Sequence, residues 1–526
     1  MLVWRAAACG LTLLVAITCA TQQAAARAAV IGPRIFFSDL ETGPSSGGKN
    51  NEGAYVTVWG KRFGNTRGSS FISIGGGRAA DYPVWTDSKI TFQLGPAAVT
   101  GNIVVTTAAS ASNGAPFTVR PGKVFFVALA GHDDSAGSFS APWASIVRCK
   151  NGLSPGDICY VGDGVRQTSI DDYGASLSIN SPGTPGAPKA LVAYPGATVT
   201  VGADDVEFAI RTPAIAGGRS NWVVSQMHLR GGGTAVDLVG ATDWRLIGND
   251  ITCPHGNGAS ACVHTDSSEY LHLYGNNVHD TGTYCEECKL YHAVYFSTNT
   301  NHVWAAWNNI NPNLGGCRAV QFYSTSGANQ FDLHVHDNVI SNARCDGINF
   351  ATVDPSKGVV EAYNNVVYHT GVRTPADGQG ANYACVSTGG SGSGGAVEIY
   401  NNTFYDCGAR GGGDAGAFSL SISTRLRNNI VRQLTGENYF TQCAECSHVA
   451  AGSVSNLFFG LGSAPSWGGL TGSLSADPLF VNPSGGDFQL QNGSPAVGVG
   501  ASIRGLAWDI DGDRRRQAGV IDLGAY

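Results

Sequence analysis

The sequence predicts an all-β protein, a small antiparallel sandwich followed by a long parallel β-helix. Three observations carry this. Two methionines against 72 glycines in 526 residues, with abundant Val, Thr and Tyr, favour short strands and turns over helices. Between residues 32 and 119, short alternating apolar runs are separated by Gly, Asn and Ser. Beyond residue 123, a five-residue phrase built on Asn recurs at steps of 27 to 37 residues. That is the signature of a solenoid whose coils stack on one another. The glycines follow no Gly-X-Y period, which excludes collagen, and 43% hydrophobic residues argue against disorder. A net charge of −7 without basic blocks argues against nucleic acid as a partner.

Taken in order, residues 1–26 carry one basic residue, Arg5, then the apolar run LTLLVAIT and the small residues QQAAA. This predicts a secretory leader, too short and wrongly flanked for a membrane helix. Cys19 as a lipid-bearing cysteine is the alternative. No later apolar run reaches the ~18 residues of a membrane span. Loss of the leader takes Cys9 and Cys19 with it, so fourteen cysteines become twelve. An even number in an exported chain, secreted or periplasmic, reads as disulfides.

Residues 32–119 contain YVTVWG, FISIGG, NIVVTT and PFTV as short strands. The opening Pro33-x-Ile35, VTVWGKRFG (56–64), SKITF (88–92) and the closing PFTV (116–119) resemble the IPT/TIG immunoglobulin-like domain. The resemblance implies a spacer or binding module.

From residue 123 the recurring phrases are IGNDI, YGNNV, AWNNI, VHDNV, AYNNV, IYNNT and LRNNI, spaced 27, 32, 29, 27, 37 and 27 residues apart at their last residues. Asn tolerates a left-handed bend, and stacked Asn side chains form an amide ladder. The expected ladder is Asn277, Asn309, Asn338, Asn365, Asn402 and Asn429. A second strand precedes each bend, in TAVDLV, ACVHTD, HAVYFS, RAVQFY and DGINFA. Their alignment brings Cys317 and Cys345 into one column, at the coil spacing a disulfide needs. Cys149 with Cys159 and Cys253 with Cys262 would each close a short loop. Cys285-x-x-Cys288 and Cys443-x-x-Cys446 are read as disulfides, with a four-thiolate zinc site as the alternative.

Two further stretches resemble secreted proteins of the pectate-lyase-like superfamily. FFVALAGHDDSAGSFSAPWASI (125–146) with PGDICYVGDG (155–164) is similar to their first coil. DPLFVNPSGGDFQLQNGSPA (477–496) with DIDGDRRRQAGVIDLGAY (509–526) is similar to their closing segment. The resemblance implies a right-handed parallel β-helix with a C-terminal cap over 123–526. Members are mostly polysaccharide lyases, glycoside hydrolases and epimerases, with some adhesins, so function has to be argued from the site.

Strand parity supplies that site. Val236, Val263, Val294, Val320 and Ile348 form an apolar column that should point inward. Asp237, His264, Tyr295, Gln321 and Asn349 form an outward column, with His292, Arg318 and Asp346 in the next, and Lys289 and Tyr291 just upstream. Eight of the twelve histidines fall between His255 and His336, which reads as one concentrated site. β-Elimination on a uronate needs a cation at the carboxylate, a base for the C5 proton and an acid for the leaving oxygen. Arg318 or a bound calcium ion would neutralise. Lys289, His264 or His292 would be the base, and Tyr295 the acid. Gln321, Asn349 and Asp346 would bind substrate. The expected partner is thus an acidic polysaccharide cleaved by a monomeric lyase.

Hydrolysis by paired carboxylates is the competing chemistry. The galacturonase-like set N-T-D, D-D and G-H-G is missing, and Asp237 and Asp346 fall several coils apart. A non-catalytic carbohydrate-binding protein is the third reading. Trp307, His336, Tyr363 and Tyr400 share one position and are read as a stack supporting the coils rather than a sugar ladder. Asp509, Asp511 and Asp513 have calcium-loop spacing, but Val520 stands where the twelfth-position Glu belongs, so this segment is read as a structural cap.

Overall fold

Each repeat forms one coil of three short strands, and successive coils pair strand on strand. The computed structural model describes residues 32–214, 219–284, 288–372, 383–391, 394–408, 415–441, 447–466, 469–515 and 520–526. The leader and Cys285, Cys443 and Cys446 lie outside them. Counted over the described residues, coil stacking builds parallel sheets of thirteen, eleven and nine strands. The thirteen-stranded sheet runs from Val124–Val127 to Leu470–Thr471, the eleven-stranded sheet from Arg166–Gln167 to Leu457–Phe459, and the nine-stranded sheet from Ala175–Ser178 to Gly416–Leu420. A short helix, Ile146–Gly152, closes the first coil, with Ser145 capping the N–H of Arg148.

The inward column is as parity requires. Val236, Val263, Val294, Val320 and Ile348 are buried and in register. Beside them Phe296, Phe322 and Phe350 stack with centroids 4.7 and 5.2 Å apart. Such continuous apolar burial is the main driving force holding coil to coil.

The Asn ladder exists but is shifted in its first coils. It runs Asn249, Asn276, Asn308, Asn338, Asn365, Asn402, Asn429, Asn456, each side-chain amide donating to the next carbonyl at 2.9 to 3.1 Å. Asn277 and Asn309 instead open the following strand and bond to each other outside. The residue that turns left-handed is the one before the ladder Asn: Gly248, Gly275, Trp307, Asp337, Asn364, Asn401 and Asn428. In the pairs Asn364–Asn365, Asn401–Asn402 and Asn428–Asn429 the first residue therefore takes the bend and the second makes the ladder. Measured in register, from Ile251 through Val278, Ile310, Ile340, Val367 and Phe404 to Val431, the steps are 27, 32, 30, 27, 37 and 27.

The expected disulfides Cys149–Cys159, Cys253–Cys262 and Cys317–Cys345 are present, and Cys385–Cys407 joins them.

Residues 34–119 form two sheets around one core. One contains Arg34–Ser38, Tyr55–Lys61, Asp81–Trp85 and Lys89–Gln93. The other contains Thr42–Gly43, Phe71–Ile74, Gly77–Arg78, Gly101–Thr106 and Ala115–Val119. Val58, Ile72, Phe92 and Ile103 are fully buried between them. This sandwich lies on the outer face of the thirteen-stranded sheet. Arg245 reaches from that sheet to the Ser38 carbonyl at 2.8 Å and Glu41 at 2.7 Å. Phe37 packs against Trp59, Tyr274 and Trp307.

The C-terminal segment straps the sandwich from the other side. Lys61 pairs with Asp511 at 2.5 Å and Arg62 with Asp513 at 2.6 Å, while Arg34 lies 3.7 Å over the Trp508 ring. Asp509 accepts the Asp513 N–H at 2.7 Å, and burial pushes its carboxyl up to about 7. Asp511 and Asp513 thus tie this segment to the sandwich, while Asp509 holds its turn.

The aromatic stack is also structural: His336, Tyr363 and Tyr400 lie nearly parallel, 4.6 and 5.0 Å apart. Trp307 is one residue out of that register, Ala306 being the one opposite His336, and meets the His336 ring edge-on at 5.0 Å from the left-handed bend.

Candidate active site

On the nine-stranded sheet, valines and phenylalanines fill the interior, so the alternate residues face outward. Register joins Arg211, Asp237, His264, Tyr295, Gln321, Asn349 and Ser387 into one outward column. The stretch from Asp237 to Asn349 is the column that parity predicted.

Its members are already bonded to one another. Arg211 pairs with Asp237 at 3.0 Å, and the other Asp237 oxygen meets Nδ1 of His264 at 2.8 Å. The carboxylate fixes the orientation of the ring through Nδ1, and Nε2 has no hydrogen-bond partner among the described residues. Asp237 is buried, while the His264 side chain is 19% exposed, so the dyad has one dry end and one accessible end. The Tyr295 ring sits between His264 and His292, at 5.5 and 5.3 Å. Burial pushes the Tyr295 hydroxyl above its ordinary value, so it carries its proton at neutral pH.

His292 opens its strand, and Arg318 and Asp346 lie two residues before the next two strands. His292 is buried, and its Nδ1 accepts the backbone N–H of Arg318 at 3.4 Å. Burial, reinforced by the charges of Arg318 and His264, holds it well below the ordinary histidine range, so it stays neutral. Enclosed in this way, it shapes the site behind Tyr295 rather than facing solvent. Arg318 donates Nε–H to Asp346 at 2.7 Å. Asp346 is itself anchored by the Ala384 N–H at 2.9 Å and by the Ser387 hydroxyl. No described residue bonds the terminal nitrogens of Arg318, which is how a guanidinium is presented to a carboxylate. Gln321 accepts from the Asn349 amide at 3.0 Å and extends the polar row.

Lys289 stands apart. It lies exposed in the short turn Cys288–Leu290, without a hydrogen bond or ion pair among the described residues. The clustering of histidines in sequence does not become one site either. His264 and His292 face the nine-stranded sheet, His272 and His334 belong to the thirteen-stranded sheet, and His279 belongs to the eleven-stranded one. A coil of about 27 residues visits all three faces, so proximity in sequence spreads residues around the solenoid.

Sequence reasoning missed two roles. Asp237 acts as the orienting partner of His264, which the shared column could have suggested. Ser387 and the Ala384 N–H anchor Asp346, which the 37-residue step hides by lengthening that coil. Asp237 and Asp346 are four coils apart, about 19 Å, and each is already engaged. They do not form a hydrolytic pair. Among the described residues, no group of three or more His, Cys, Asp or Glu side chains is placed to hold a metal ion.

No family model and no curated protein matches the chain. Solved structures similar to it include pectate lyase Pel9A, at 11% identity over 77% of this chain and 96% of that one, with a TM-score of 0.47. XylC in complex with xylose matches at 10% identity over 77% and 98%, TM-score 0.46. An alginate lyase from Paenibacillus sp. str. FPU-7 matches at 12% identity over 62% and 96%, TM-score 0.37. At these identities the chemistry rests on the side chains themselves.

Proposed function

We propose that the chain is an exported polysaccharide lyase that cleaves an acidic, uronate-containing polysaccharide by β-elimination on the outer face of the nine-stranded sheet. The observation that carries the reading is the succession Asp237–His264, Tyr295, Arg318–Asp346 over adjacent coils, which supplies a base, an acid and a free guanidinium fork.

In this reading Arg318, steadied by Asp346, pairs with the uronate carboxylate and makes the C5 proton more acidic. His264 Nε2 takes that proton. The C5–H pair forms the C4–C5 double bond, the C4–O bond breaks, and Tyr295 gives its proton to the departing oxygen. Proton return from His264 to Tyr295 resets the site. Gln321 and Asn349 hold neighbouring sugar hydroxyls, and the exposed ammonium of Lys289 offsets the chain's net negative charge for an incoming polyanion. Four disulfides among the described residues support work in an oxidising compartment. The sandwich at 32–119, an IPT/TIG module in this reading, stabilises the far face.

The test is product chemistry on a panel of uronate polysaccharides, with and without calcium. Ultraviolet absorbance from new unsaturated uronate ends supports elimination. New reducing ends without it would point to hydrolysis, and silence in both assays would leave a binding protein.

A further inference from the structure

The outward face of the eleven-stranded sheet carries a cavity of about 660 Å³ that the elimination chemistry does not use. Two adjacent columns form its floor: Thr200, His228, Asp250 and Asn277 in one, Arg230, Thr252 and His279 in the next. Their inward neighbours Val201, Leu229, Ile251 and Val278 are buried, which fixes this side as the outside.

Polar groups of the floor are held in place before any ligand arrives. Asp250 meets His228 Nδ1 at 2.9 Å, His279 Nε2 at 3.0 Å and the Asn277 amide at 2.8 Å. His279 bonds Asp280 through its other nitrogen at 2.7 Å, and Asn313 donates to Asp280 at 2.8 Å. The Asp250 bond raises His279 to about 9, so it is an imidazolium at neutral pH. Arg230 is clamped on Asp204 through Nε and Nη2, which leaves Nη1 for a ligand. At the wall, the Tyr284 ring stacks on His255 with centroids 4.7 Å apart and planes 18° apart, and Tyr284 is 69% exposed.

The charges balance. Arg166, Arg230 and His279 are offset by Asp204, Asp250 and Asp280, so the cavity has no net sign with which to select an ion. It offers fixed donors, fixed acceptors and a flat aromatic ring. That combination matches a sugar, whose C–H face stacks on an aromatic ring while each hydroxyl both donates and accepts.

We propose that this cavity is a second carbohydrate site, separate from the nine-stranded face, that takes an uncharged pyranose residue against Tyr284 with its hydroxyls on His228 Nε2, Arg230 Nη1 and the Asp250 carboxylate, which His279 holds in place. The proposal does not depend on the lyase reading, because its test reads binding.

Calorimetric titration of the full chain carrying His264→Ala, a background without the proposed elimination base, uses xylotetraose, cellotetraose and mannotetraose as neutral probes and trigalacturonate as the charged one. At least one neutral tetraose binds, adding Tyr284→Ala weakens it about tenfold, and added salt leaves it unchanged. Failure of every neutral probe to bind overturns the proposal, as does binding indifferent to both Tyr284→Ala and Asp250→Asn. Binding of trigalacturonate alone, weakened by salt and by Tyr284→Ala, overturns the uncharged assignment.

Discussion

The outer faces of the nine- and thirteen-stranded sheets are built from the same residue types and are covered differently. Both carry histidines paired with carboxylates, tyrosines and arginines in register. On the nine-stranded face, His264 is held by Asp237 from the next coil and keeps its other nitrogen accessible. On the thirteen-stranded face, His336 is locked to its own neighbour Asp337 at 2.7 Å and sandwiched between Trp307 and Tyr363. The sandwich and the C-terminal strap pack over that stack, with Phe36 and Phe37 on Trp307 and the Trp508 carbonyl on Asn364. Parity and register create columns on every face. What lies above a column decides whether it is scaffold or site.

The largest effect that would sharpen this contrast is on turnover. His264→Ala should lower kcat by a factor of about 10² to 10⁴ while leaving the melting temperature nearly unchanged. His336→Ala should do the reverse, lowering the melting temperature while the folded fraction keeps its turnover. If both variants lose turnover equally, the two faces are not distinct.

Next comes the ladder. Asn338 makes three side-chain bonds to the coils on either side of it, so Asn338→Ala should cost about 3 kcal/mol by chemical denaturation. Asn277→Ala, outside the ladder, should cost under about 0.5 kcal/mol. A similar loss at both would undo the one-residue shift described above. Arg245→Ala removes the link from the thirteen-stranded sheet to Ser38 and Glu41 and should cost about 2 kcal/mol, with no change in turnover.

The smallest effect is pH-dependent. Asp509 titrates at about 7 in the folded chain against an ordinary 3.8, because burial disfavours its charged form. A carboxyl raised in this way favours folding while protonated, and that contribution is lost as pH rises from about 4 through about 7. Asp509→Asn should therefore raise the melting temperature at about pH 8 and leave it unchanged at about pH 3. A rise of equal size at both pH values would show that burial of the charge is not the cause.

Much of this was legible from residue order. Seven Asn phrases gave the solenoid, and strand parity gave both the valine core and the outward row from Asp237 to Asn349. Of the disulfides, Cys317–Cys345 followed from coil alignment, and Cys149–Cys159 and Cys253–Cys262 from short loop closure. The phrase could not show which Asn of a pair makes the ladder, because either amide fits the local pattern and only the stacking of Val335 on Ala305 settles it. His292 looked solvent-facing because parity does not show what covers a strand's first residue, here the Arg318 N–H and the Tyr295 ring. The cavity under Tyr284 was invisible, since its floor comes from four coils and its wall from the loops that join them. Coverage by the sandwich could not be read either, for it depends on residues more than 200 positions apart, such as Ser38 and Arg245.

The most direct test of the nine-stranded face as the chemical face is a crystal structure of the His264→Ala variant soaked with a uronate hexasaccharide. The account predicts sugar density along the row from Tyr295 to Asn349, with a carboxylate on the terminal nitrogens of Arg318. Density confined to another face of the solenoid, with the nine-stranded sheet bare, would contradict it.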